Sequence, residues 1–179
     1  MTPRRSHYEM AFESYLNQRG TAYVAVEDVK HVAGKGRTGA KAFDYIIYPP
    51  GGGPCLVDVK GRKITSRKAA EDCRTNNWVT RGDLDGLALW QEAFGADCTA
   101  MFVFAFWLAG LPPETQLVIN GSPLFNFAGR RYSFWLAPLT DYAAGVKVRS
   151  MRWDTVSVPR EQFAAISKPL EKCWLAAPC

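Results

Sequence analysis

Asp44, Asp58 and Lys60 are the residues of this 179-residue chain whose types and spacing most directly suggest chemistry. They lie in the stretch FDYIIYPPGGGPCLVDVKGRK, residues 43–63. Two short apolar runs, 43–48 and 55–60, flank Pro49-Pro50-Gly51-Gly52-Gly53-Pro54. Proline lacks a ladder donor and a glycine run is too flexible to continue a strand, so the pattern predicts two strands joined by a hairpin-like loop. Side chains alternate along a strand, which puts Asp58 and Lys60 on one face, roughly 6–7 Å apart, and Cys55, Val57 and Val59 on the other. An acid and a lysine among Leu, Val and Ile are costly to desolvate unless they pair or bind a metal. Phosphodiester hydrolysis needs an activated water and neutralised phosphate charge, and a divalent ion supplies both. Magnesium takes oxygen ligands and keeps several waters, so two carboxylates and a backbone carbonyl are a sufficient protein share. Asp44, Asp58 and the Val59 carbonyl meet that need, and Lys60 can orient water or offset negative charge.

The elements that must position these groups follow from the flanking patterns. Ser6 and Glu9 have capping-box spacing, and Tyr8, Phe12, Tyr15 and Leu16 recur at helical intervals, predicting a helix over 8–19 ended by Gly20. That helix carries Glu9 and Glu13 one turn apart, either of which can complete a metal shell or hold its water. Residues 21–29 read as a strand. Residues 30–41 form a basic, glycine-containing loop without the GxxxxGK[ST] pattern of a nucleotide cradle. Residues 61–81 are polar and basic. Asp83 is a cap for a helix over 84–94, and 100–108 is a continuous apolar run suited to a strand buried on both faces. Beyond Gly110, residues 117–119 and 132–136 read as strands around Asn120-Gly121, either extending the sheet or forming a hairpin on its edge. Residues 141–144 make a short helical turn, 155–158 have strand character, and Pro159 starts a last helix at 160–166. Residues 147–153 interleave Lys147, Arg149, Arg152 and Trp153.

The totals set limits on function. The length suits one domain with a sizeable core, and the formal net charge of +5 permits a polyanionic partner. The 5 cysteines are odd in number and include no CxxC pair, which argues against a zinc site or disulfide framework. Cys55 and Cys98 read as small buried apolar residues. The N-terminus lacks a signal-peptide pattern, and the longest apolar stretch, 100–111, is too short for a bilayer. A cytoplasmic protein without a membrane partner is the expectation.

Asp44, thirteen intervening residues, then Asp58-Val59-Lys60 resembles the PD-(D/E)xK nuclease signature. The order helix, three strands, helix, strand is similar to that superfamily's restriction-endonuclease-like α/β fold, an αβββαβ core with a mixed central sheet. The resemblance covers about residues 6–108, and 112–179 would be a C-terminal α/β extension of the same single domain. It implies divalent-metal-dependent cleavage of DNA, with Mg2+ or alternatively Mn2+ held by Asp44, Asp58 and the Val59 carbonyl, and Lys60 as catalytic lysine. In the archaeal Holliday-junction resolvase and very-short-patch branches a first-helix glutamate joins the strand acids. Spacing from Gly20 favours Glu9, with Glu13 close behind. Phe43, where the signature has proline, is a departure at a variable position.

Lys35, Arg37, Lys41, Arg62, Lys63 and Arg67 flank the motif strands and are the expected phosphate contacts. Such contacts would make affinity salt-dependent. The competing readings are ordinary: Asp44 as a strand-edge acid, Asp58 and Lys60 as a salt bridge, Glu9 as a helix cap, Gln91 as a packing residue, Trp78 and Trp153 as loop packing instead of base stacking. A non-catalytic nucleic-acid-binding module and a structural or protein-interaction domain are the alternative functions. A homodimer is compatible with cutting two strands, although no dimer seam is legible.

Overall fold

The computed structural model describes residues 5–26, 41–66, 69–70, 72–111 and 123–174. Lys35, Arg37 and Arg67, and the strand expected at 117–119, lie outside them. Helix α1 (His7–Gln18) is followed by β1 (Ala22–Ala25), β2 (Tyr45–Tyr48) and β3 (Cys55–Ile64). A 3-10 turn (Cys73–Asn76) and the two-residue β4 (Val79–Thr80) lead into α2 (Arg81–Phe94) and then β5 (Thr99–Leu108). Apart from the short insertion before α2, this is the α/β order αβββαβ that the sequence predicts.

The sheet is mixed, in the order β1-β2-β3-β5-β7-β10, with β7 at Arg130–Pro138 and β10 at Lys168–Pro169. The β2–β3 hairpin is antiparallel, Tyr45 opposite Val57, and turns through the Pro-Gly segment. There Gly52 N–H donates to the Pro49 carbonyl at 3.1 Å, and Gly51 takes a φ of 71°, open to glycine. β3 and β5 run parallel over ten paired positions, Asp58 beside Phe102 and Lys60 beside Phe104. The crossover between them is long enough to need α2, as parallel neighbours require.

Two apolar layers cover the sheet. Ala11, Phe12, Tyr15 and Leu16 of α1 pack on Tyr45, Val57, Val59, Met101, Val103 and Ala105. The opposite face joins Leu56, Phe102, Phe104 and Phe106 to Leu87 of α2, to Leu139 and Tyr142 of α3 (Leu139–Gly145), and to Phe163 of α4 (Arg160–Ile166). The alternation read from β3 therefore holds, and β5 is buried on both faces. Gly61 sets how closely α1 sits: a Cβ there would lie 2.3 Å from the Tyr8 ring.

Several expectations change. The strand expected at 132–136 runs from Arg130 to Pro138 and pairs with β5, Phe104 opposite Trp135. Its hairpin partner is β6 (Phe125–Phe127), through a turn in which Ala128 and Gly129 both have positive φ. Residues 147–158 supply β8 (Lys147–Ser150) and β9 (Thr155–Ser157), which form a separate sheet in the order β4-β9-β8. Buried Asn77 ties that region in: its side chain donates to the Val158 carbonyl and accepts from Val158 N–H, both at 2.9 Å. A last short helix, α5 (Leu170–Trp174), follows β10. No described helix is long and apolar enough to cross a membrane.

Candidate active site

Asp44 stands one residue before β2, where pairing with β3 stops, and Asp58 is the β3 residue just past the last paired position, Val57. The two acids are near neighbours, and the Asp58 charge acts on Asp44. Asp44 Oδ2 also accepts the Val59 N–H at 2.7 Å. In a strand the N–H and C=O of one residue point to the same edge. The Val59 carbonyl is thus directed to the edge that β2 has vacated, beside both acids.

Burial raises the pKa of Asp44 to about 8, and the Asp58 charge adds to it; the Val59 hydrogen bond and Lys60 pull the other way, while Glu9 pushes up again. Asp58, only 5% exposed, is also raised, chiefly by burial, with Lys60 opposing. Two neighbouring carboxyls, Asp58 buried and Asp44 half-buried, cannot both ionise cheaply without a compensating cation.

Lys60 Nζ lies 2.8 Å from Asp58 Oδ2 and 3.0 Å from Asp83 Oδ1. Burial works against its charge, yet Asp58 and Asp83 outweigh it and lift the pKa above the ordinary lysine value. Lys60 is accordingly an ammonium at neutral pH, a donor and a positive charge but not a base. The charge balance of the cluster is informative. Asp44, Asp58 and Asp83 face Lys60 and Lys41, which also pairs with Asp83. Fully ionised, these five groups carry one excess negative charge, in a chain whose net charge is positive.

Asp83 was expected only as a helix cap, and the structure corrects both its place and its role. The N-cap is Thr80, and Asp83 sits three residues into α2, closing a reciprocal capping box with Thr80. Its other oxygen grips Lys60 and Lys41, and these cations with the Thr80 hydrogen bonds hold its carboxyl below the usual range despite burial. The signal was present as Thr80-Arg81-Gly82-Asp83, a capping-box spacing. Gly86 lets the Lys41 backbone lie against α2, where an added Cβ would be 2.9 Å from the Lys41 carbonyl oxygen. Trp90 Nε1 donates to that same oxygen at 3.1 Å.

The remaining expected residues divide. Glu9 comes from the α1 side of the sheet; its carboxylate accepts the Ser6 hydroxyl at 2.7 Å, and its charge acts on Asp44. Glu13 is committed to Arg5 and to the Tyr45 hydroxyl, the latter at 3.0 Å. Among the described residues no three His, Cys, Asp or Glu side chains form a metal-holding group. Arg62, expected at a phosphate, is half-buried. It stacks 3.7 Å over the Trp78 ring and donates to the Trp78 carbonyl, and burial lowers its pKa to about 10. Lys63 stays exposed, 4.8 Å from the Trp107 ring. Gln91 accepts the Ala100 N–H at 3.0 Å, a packing role.

No family model matches this chain. No curated protein matches it either. Among solved structures it is similar to Hjc, a Holliday junction resolvase from the archaeal hyperthermophile Archaeoglobus fulgidus. The TM-score is 0.46 and the identity 12%, over 93% of this chain and 96% of that one. The likeness is one of overall course; the chemical reading rests on the residues of the site.

Proposed function

We propose that the chain is a divalent-metal-dependent nuclease that hydrolyses phosphodiester bonds, with DNA as its substrate. The observation that carries this reading is the Asp44–Asp58 pair, set in a cluster of three acids and two lysines and beside the Lys60 ammonium. The donor set suits a hard cation: two carboxylates and the edge-directed Val59 carbonyl are oxygen ligands of the kind Mg2+ or Mn2+ takes. Asp44, Asp58 and Val59 would hold the ion, which when bound acidifies a water and neutralises phosphate charge.

The chain's own groups do the rest. The Lys60 ammonium donates to a non-bridging phosphate oxygen and offsets the charge that grows there as water oxygen bonds to phosphorus and the ester P–O bond breaks. Asp83 positions Lys60 through its 3.0 Å ion pair and is itself fixed by the Thr80 capping box. Glu9, approaching from α1, accepts a hydrogen bond from the attacking water. Lys41 and Lys63 contact the backbone phosphates, and Arg62 holds the wall beside Lys60. The packing of Arg62 on Trp78 supports that structural role for it.

The test is cleavage of fluorescein-labelled single-stranded, duplex and four-way-junction DNA with Mg2+, Mn2+ or EDTA, by the wild type, Asp58→Asn and Lys60→Met. Metal-dependent products that both variants lose support the proposal. Cleavage by Asp58→Asn at the wild-type rate refutes it. The engagement of Glu9 by Ser6 favours a second reading, a binding module without catalysis; nucleic-acid binding with no product under any metal would establish that instead.

A further inference from the structure

The β8–β9 hairpin ends in a turn, residues 151–154, that presents two large apolar side chains to solvent. Met151 is 85% exposed and Trp153 68%. The turn is ordered by its own bonds: Trp153 N–H donates to Ser150 Oγ at 3.3 Å, and Asp154 takes a left-handed φ of 45°. The side of the hairpin away from solvent is anchored by Val156 and Val158, both in the main core. A rigid tip exposing Met beside Trp marks a contact surface more than scattered apolar residues do. Its charge says what it contacts. Lys147, Arg149 and Arg152 are all exposed here, and Arg149 falls at the register shift between Val148 and Ser150. The Arg152 guanidinium lies 5.1 Å from the Trp153 ring. The one acid of the turn, Asp154, is paired with Arg81 at 3.3 Å.

The same tip is tied to the candidate active site. β9 pairs with β4, which runs directly into α2, and Arg81 N–H donates to the Asp154 carbonyl at 3.0 Å. Two residues further on is Asp83, which holds Lys60. Beside the tip, Arg149 approaches the same Trp78 ring that Arg62 covers.

We infer that the 151–154 tip is a wedge for nucleic acid, with Trp153 and Met151 stacking on an unpaired or unstacked base and Arg149 and Arg152 holding the adjoining phosphates. Aromatic stacking recognises a base without reading sequence, and entry between bases costs least where the stack is already broken. The substrate class is therefore DNA with a fork, branch or single-stranded end, not uninterrupted duplex. This rests on the nuclease reading for its place beside the scissile bond, but binding alone tests it.

The experiment is fluorescence anisotropy in EDTA and again in Ca2+, with a labelled fork, a single strand and a fully paired duplex. The wild type is expected to bind the fork more tightly than the duplex. The double variant Met151→Ser/Trp153→Ser should lose roughly 5- to 150-fold on the fork, with duplex binding unchanged. Arg149→Ala/Arg152→Ala should weaken all three and lower the slope of log affinity against log salt by about 1 to 2. Fork binding by the wedge variant equal to wild type overturns the proposal. So does a wedge variant that keeps fork binding but loses self-association in sedimentation or binding to anionic vesicles, which would make the occupant a second copy or a membrane. The EDTA arm separates the two claims, because it reads binding where no metal-dependent cleavage can occur. Wedge-dependent fork binding in EDTA with no cleavage under Mg2+ or Mn2+ would sink the nuclease reading and leave the wedge intact.

Discussion

Asp44→Asn removes one charge from the buried acid pair and keeps an oxygen to accept the Val59 N–H. In the wild type without metal, Asp44 is held at about 8 instead of the ordinary 3.8. A folded-state pKa above the unfolded value means that the folded protein holds the proton more tightly. The contribution is complete below about pH 4 and is lost as pH rises towards about 8, where the unfolded chain has released its proton and the fold has not. Each pKa unit is about 1.4 kcal/mol, so wild-type stability in EDTA should fall by up to about 5 kcal/mol across that window from this group. Asp58 has the same sign, so the variant retains a shallower fall, reduced because Asp44's charge no longer pushes on it. Urea unfolding of both proteins at pH 5 and pH 8 in EDTA measures the difference. The variant should be the more stable of the two at pH 8, and Mg2+ should raise the wild type's midpoint there but not the variant's. Parallel pH profiles, or a variant no more stable than wild type at pH 8, would refute the charge argument.

Lys60→Met should leave Mn2+ affinity, read by calorimetry, near wild type while lowering kcat roughly 100- to 1,000-fold, because a donor aimed at developing charge is gone. Asp83→Ala should cost about 1 kcal/mol of stability through the broken capping box with Thr80. It should also move any Lys60-dependent alkaline limb of the pH–rate profile to lower pH, because one of the two carboxylates raising Lys60 is removed. Gly61→Ala places a methyl 2.3 Å from the Tyr8 ring and should destabilise by about 1–3 kcal/mol, with much of the loss recovered in the Tyr8→Ala/Gly61→Ala double variant. Mg2+ binding at pH 7 should release protons, seen as a dependence of the calorimetric enthalpy on buffer ionisation; no such dependence would count against the raised pKa of Asp44.

The motif strands were legible because their information is local. The Pro-Gly run fixed the hairpin, and period-two alternation assigned Asp58 and Lys60 to one face and Val57 and Val59 to the other. The continuous apolar run at Phe102, Phe104 and Phe106 marked a strand without a solvent face. What could not be read was non-local. β7 has no local mark that it borders β5, and the two residues of β4 are too few to show any period. Asp83 looked like the cap, but it is the third helical residue of a capping box that Thr80 begins, and nothing along the chain announces that its second oxygen meets Lys60. Arg62 read as a phosphate contact because it flanks a motif strand; its stacking on the Trp78 ring has no local mark in the sequence.

β5 gains its second neighbour late. It lies between β3 and β7, and β7 follows it in the chain at Arg130–Pro138. During synthesis the ribosome therefore exposes a strand of Met, Phe, Val and Trp whose outer edge has nothing to pair with until residues 130–138 emerge. An unpaired apolar edge is a template for association between chains. A fragment ending near Leu108 would keep the acid pair and Lys60, yet should appear in inclusion bodies, and slowing translation beyond Leu108 should lower the soluble yield of the whole chain.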